Sequence, residues 1–160
     1  MKKLIKMFQC LTLLIAGLLI VLLLIPFLLK QKSYVVLSGS MEPIIKTGSI
    51  VYINTKVKPN DIKTNDIIGF KIAKGYATHR VTKVNKNNTF TTKGDANKEE
   101  DITPVSYNNY IGKVIFHIPY LGFLLSFMKS KPGIIVLSII IVLNIVIIIL
   151  EKEKLDEKEN

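Results

Sequence analysis

Two long apolar runs without a single charge, residues 8–29 and 133–150, leave this chain little freedom in how it can fold. At 1.5 Å rise per residue, the first makes a helix roughly 33 Å long, enough to cross a hydrocarbon core of about 30 Å. The second makes about 27 Å, near the short end for a span, but it is almost solid Ile, Val and Leu. Both read as transmembrane helices. What remains for a soluble fold is residues 33–128, with a basic N-terminal end at 1–7 and a charged tail at 151–160 that is expected to be solvated and frayed.

Lys2, Lys3 and Lys6 ahead of the first run would also suit a cleavable signal peptide. Its apolar stretch exceeds the about 7–15 residues of such a segment, and Lys30-Gln31-Lys32 follows with no small-x-small cleavage pattern. An uncleaved signal-anchor is the better reading. Two spans put both termini on one side, although lysines flank each helix almost evenly and lean only slightly toward termini inside. On that count the segment between the helices is extracytoplasmic and the chain a multi-pass protein of the cell membrane.

The net charge of +10 comes mostly from lysine. Residues 33–128 hold twelve Lys or Arg against seven Asp or Glu, which favours an anionic bilayer surface as partner. Nucleic acid is the competing partner for basic charge, but the lysines are scattered, with no basic run and no interleaved aromatics, so none is expected. The lone Cys10 falls inside the first run, so the middle domain has neither a disulfide nor a thiol nucleophile.

Within the middle segment, short β-branched and alternating stretches are punctuated by Gly, Asn and Pro. Strands are expected at 49–55, 66–72, 77–85, 89–93 and 111–118. The fold class is therefore mostly β, a small β-rich domain between two transmembrane helices. No amphipathic helix of useful length is expected between the spans. The core should be thin, with Ile44, Ile45, Leu121, Phe123, Leu124, Leu125 and Phe127 available for packing or membrane contact. Asp61 and Asp66 fit solvated turn and strand-start positions.

Chemistry concentrates at Ser38-Gly39-Ser40-Met41-Glu42-Pro43, a polar stretch soon after the first apolar run. A serine hydroxyl is a poor nucleophile at neutral pH and requires a proton acceptor, itself held by a third group. Candidates are few: His79, His117, and acids downstream of His79 at Asp95, Glu99, Glu100 and Asp101. His117 lies between Phe116 and Ile118 in an apolar strand and reads as structural.

These stretches resemble the type I signal peptidases, and within them the ER-type branch that also occurs in archaea and some Gram-positive bacteria. Ser38 to Pro43 looks like the family's serine box, in which the serine before methionine is the nucleophile. Gly75-Tyr76-Ala77-Thr78-His79-Arg80-Val81 resembles the box carrying the base, a lysine in the common bacterial branch and His79 here. Thr92-Lys93-Gly94-Asp95-Ala96-Asn97 with Asp101 looks like the third box. Lys113 to Gly122 also fits, so the resemblance spans about residues 36–122; Asn65 stands where the family often has glycine.

The resemblance implies a serine endopeptidase that removes signal peptides from exported preproteins and needs no metal or organic cofactor. Ser40 would be the nucleophile, His79 the general base, and Asp101 the group orienting the imidazole. Ser38 would supply an oxyanion donor beside the Ser40 backbone N–H, with Asp95 structural or a second hydrogen-bond partner. Met41 would sit at the membrane-facing edge of the site or in the core, and Gly94 would be a turn glycine. Chain length agrees: an extended stretch from residue 29 to Ser40 reaches at most about 36–40 Å, so the serine stays near the bilayer, where signal peptides emerge. The alternatives are a non-catalytic membrane-anchored β-domain that binds a partner, against which the three ordered boxes speak, and a self-cleaving regulator, which would need a lysine base and a DNA-binding segment. Oligomeric state, accessory subunits and individual preproteins are not encoded legibly.

Overall fold

The computed structural model describes residues 2–28 and 31–159. Its elements run α1 (Lys2–Leu28), β1 (Lys32–Val35), β2 (Ile50–Asn54), β3 (Ile67–Ile72), β4 (Gly75–Asn85), β5 (Thr89–Lys93), β6 (Val105–Ser106), β7 (Tyr110–Ile118), α2 (Leu121–Lys129) and α3 (Lys131–Glu159). The chain divides into a helical unit, residues 1–22 with 124–160, and a β unit, residues 23–123.

In the helical unit, α1 begins six residues before the apolar run, and the expected end of that run at residue 29 lies outside the described residues. Among the described residues, one helical stretch, Lys131–Leu150, is long and apolar enough to cross a membrane, while α1 contributes the shorter apolar stretch Lys6–Leu18. Thr12 Oγ1 donates to Asn144 Oδ1 at 3.3 Å, a polar contact from one helix to the other. The charged tail is not frayed coil; α3 continues to Glu159, since its Glu, Lys and Leu are good helix formers.

The β unit is one antiparallel sheet in the order β1-β2-β7-β3-β4-β5-β6. The five expected strands form within two residues of their expected ends. Two were not expected. β1 is four residues, mostly exposed, and exists through its ladder to β2, from Lys32↔Ile53 to Val35↔Ile50. β6 is only two residues, paired to β5. A short helix, α2, also forms where no amphipathic helix of useful length was expected between the spans. Its sequence, Leu-Gly-Phe-Leu-Leu-Ser-Phe-Met-Lys, gathers Gly122, Ser126 and Lys129 on one side and apolar residues on the rest, but nine residues are too short a run for the period to stand out.

Two small apolar clusters replace a single deep core. Ile62, Ile68, Phe70, Val81, Phe90 and Val105 pack together on one part of the sheet, and Met41, Ile45 and Val51 on another. Glycine is required where chain segments touch. A Cβ on Gly122 would come 2.7 Å from the Gly48 carbonyl oxygen, to which the Gly122 N–H donates at 2.8 Å. Asp66, expected as surface, instead accepts from Lys113 Nζ at 2.6 Å and is mostly buried, because β3 and β7 run side by side there.

Candidate active site

Ser40 sits in a tight turn between β1 and β2, braced from both sides. The Glu42 N–H donates to the Gly39 carbonyl at 3.0 Å and the Ile45 N–H to the Met41 carbonyl at 2.8 Å. Met41 is 1% exposed and packed with Ile45 and Val51, the core position that was one of the two expected for it. The Glu42 carboxylate closes the loop by accepting from the N–H and hydroxyl of Thr47 at 3.2 and 3.0 Å. Anchoring Met41 inward leaves the side chain before it turned toward the sheet surface.

His79 lies mid-strand on β4, opposite Ile68 of β3, with its ring edge-on to Phe70 at 5.9 Å. Nε2 lies 3.1 Å from Ser40 Oγ, and Nδ1 lies 2.6 Å from Asp101 Oδ2. A carboxylate at Nδ1 draws the proton to that nitrogen, leaving Nε2 as acceptor for the serine hydroxyl. The imidazole is 13% exposed and the carboxylate 23%, so both groups are shielded while the serine side stays accessible. In this order a hydroxyl can hand its proton to a base whose cation is stabilised from behind.

Asp101 is itself held. Its N–H donates to the Thr92 carbonyl at 2.8 Å, and the fully buried Thr92 hydroxyl donates to Oδ2 at 2.6 Å. Thr92 had no role assigned from sequence. The available signal was that it occupies a buried position of β5, two residues from Phe90 on the same face, where an apolar residue would be the default.

Asp95 points elsewhere. It takes a forked pair of hydrogen bonds from Arg80, Nε to Oδ1 at 2.8 Å and Nη2 to Oδ2 at 2.7 Å, while Arg80 Nη1 donates to the Asn65 carbonyl at 2.8 Å. That hydrogen bonding to Asp95 pushes the guanidinium pKa further up, against partial burial. Asn65 has φ of +75°, the left-handed conformation that asparagine tolerates better than most residues other than glycine. Gly94 does open a turn, with the Asn97 N–H donating to its carbonyl at 3.0 Å. Glycine is needed there for a different reason, however. A Cβ would lie 2.6 Å from the Ser40 carbonyl oxygen, which accepts from the Ala96 N–H at 2.9 Å. The loop of Asp95 thus grips the backbone of Ser40.

Ser38 Oγ is 3.4 Å from Ser40 Oγ. Both serines line a cleft of about 430 Å³ whose other wall is the 75–79 stretch of β4. That stretch pairs with β3 along one edge, whereas pairing to β5 starts only at Arg80↔Lys93. His117 lies on β7 opposite Val51 and takes no part in the hydrogen-bonded line of Ser40, His79 and Asp101.

No family model matches the chain. Among curated proteins it is similar to Signal peptidase I W of Bacillus subtilis, 38% identical over 78 residues, covering 46% of this chain and 41% of that protein. It is also similar to the signal peptidase complex catalytic subunit SEC11C of Homo sapiens, 30% identical over 111 residues, covering 61% of this chain and 57% of the relative. The subunit SEC11 of Lodderomyces elongisporus is 34% identical over 109 residues, covering 59% of this chain and 64% of the relative. The chain therefore spans roughly half the length of these relatives. Likeness to both a bacterial signal peptidase and the SEC11 subunits, at modest identity, supports a type I signal peptidase of the ER-type branch.

Proposed function

We propose that the chain is a membrane-bound serine endopeptidase that cleaves N-terminal signal peptides from exported preproteins at the outer membrane surface. The single observation that supports this most is the unbroken hydrogen-bonded line from Ser40 Oγ through His79 to Asp101, at 3.1 and 2.6 Å. Ser40 attacks the scissile carbonyl as His79 Nε2 takes its proton. The imidazolium is stabilised by Asp101 and then protonates the leaving amine. The Ser40 backbone N–H and the nearby Ser38 hydroxyl meet the oxyanion, and loss of one such donor typically costs ~10²–10³ in turnover.

An extended peptide laid in the cleft finds the unpaired edge of residues 75–79 and can add to the sheet as a strand, gaining main-chain hydrogen bonds regardless of its sequence. Arg80 and Asp95 act as positioning residues, because the loop they fix holds the Ser40 carbonyl. Two transmembrane helices anchor the enzyme, with the β domain extracytoplasmic, where preproteins emerge.

Full-length protein in membranes should cleave a preprotein and react with a serine-directed acylating probe, and both activities should vanish in Ser40→Ala. Cleavage that survived Ser40→Ala would overturn the assignment. A wild-type protein that neither cleaved nor reacted would favour a non-catalytic binding domain.

A further inference from the structure

A second cavity, about 770 Å³, adjoins the Ser40 cleft at His79. The two share only Ile72, Ala77 and His79 among their lining residues. Because His79 must deliver its proton to the leaving amine, the chain that departs with that amine begins beside the imidazole. The cleft containing Ser38 and Ser40 accounts for one direction of the substrate, and this cavity offers a path for the other.

Its floor is apolar and its rim acidic. Phe70, Ile72 and Ala77 form the floor, and the rim is the segment 97–103, exposed except at Asp101. In a middle segment carrying an excess of lysine, three consecutive acids, Glu99, Glu100 and Asp101, fall on this one rim. Asp101 is engaged by His79 and Thr92, Asp95 by Arg80, and Asp66 by Lys113. Among the described residues, Glu99 and Glu100 have neither an ion pair nor a side-chain hydrogen bond, and Lys98 is the one cation on the rim. An apolar floor under two unspent carboxylates suits a lysine or arginine, whose aliphatic stem lies on the floor while its charged head reaches the rim.

We infer that this cavity receives the residues following the scissile bond and favours a basic side chain there through Glu99 and Glu100. The inference rests on the peptidase reading above and assigns a selectivity to the same site. Both carboxylates are solvent-exposed, so the preference is modest, about three- to tenfold in kcat/KM for Lys over Glu.

The test uses the full chain in detergent micelles and preprotein-derived peptides in which Lys, Gln or Glu is placed in turn at each of the first four positions after the cleaved bond. The wild type is compared with Glu99→Gln/Glu100→Gln and Glu99→Lys/Glu100→Lys. At one or two positions the order Lys over Gln over Glu is expected in the wild type. The Lys/Glu ratio should fall to about one in the first variant, invert in the second, and shrink for the wild type in high salt. A ratio near one at all four positions, or one indifferent to both double variants, overturns the inference while the peptidase reading stands. Failure of the wild type to cleave any peptide overturns that reading and the selectivity with it.

Discussion

Asp95 and Asp101 belong to one loop yet are spent differently, and the difference is measurable. Asp101 bonds His79 Nδ1 directly, whereas Asp95 meets only Arg80 and, through its loop, the Ser40 backbone. In Asp101→Asn an amide N–H can face Nδ1, which places the remaining proton on Nε2 and points it at the nucleophile. A loss on the order of 10⁴ in kcat is expected, with little change in KM or thermal stability. Asp95→Asn leaves the Arg80 fork half-matched. It should cost about 1–3 kcal/mol of stability and a smaller share of the rate. Thermal unfolding and kcat measured on both variants decide this, and a larger rate loss at position 95 would exchange the two roles. The resemblance had already favoured Asp101 over Asp95 as the partner of His79 by its place in the third box. What spacing along the chain does not encode is how each acid is held, Asp101 by the Thr92 hydroxyl and Asp95 by the Arg80 fork.

At the scale of elements, β2, β3, β4, β5 and β7 were legible because each combines β-branched residues with turn signals at its ends, as in Val81 to Asn85 before Lys86-Asn87-Asn88. β1 and β6 were not, since four residues and two residues carry too little pattern and are fixed by their partners, Ile50–Ile53 and Thr89–Phe90. α2 escaped because its nine residues are too few for a helical period to stand out, although Gly122, Ser126 and Lys129 share one face. β7 also brings a titratable group to a junction of elements. Tyr110, at its start, donates its hydroxyl to the Val57 carbonyl at 3.1 Å, and burial, followed by the charges of Asp66 and Asp61, pushes its pKa well up. A phenol whose folded pKa is raised contributes stability that is complete below its unfolded value of about 10 and is lost as pH climbs toward the folded one. Tyr110→Phe should therefore be less stable than wild type by about 0.5–1.5 kcal/mol at neutral pH. That gap should close as pH rises past about 10. Thermal unfolding of both proteins from neutral to alkaline pH gives the comparison, and a gap that widened with pH would mean the phenolate is tolerated in the fold.

For the molecule as a whole, the open matter is which side of the membrane the β unit occupies. Lysines flank both apolar runs almost evenly, so charge bias alone exerts little orienting force. The proposed reaction supplies the stronger argument: a preprotein's cleavage point emerges on the outer face, and the chain between residue 29 and Ser40 can reach no more than about 36–40 Å from the membrane. With the two spans proposed above, both termini then lie inside. Cys10 is the chain's single cysteine, so a Cys10→Ser background allows one reporter thiol at a time. In that background, Asn88→Cys, in the exposed turn between β4 and β5, should react with a membrane-impermeant maleimide on intact cells. Lys6→Cys and Glu153→Cys, near the two ends, should react only after permeabilisation. Labelling of Asn88→Cys confined to permeabilised cells would put the β unit inside. Labelling of one terminus but not the other on intact cells would leave a single span, since an odd number of crossings is the only way to separate the two ends.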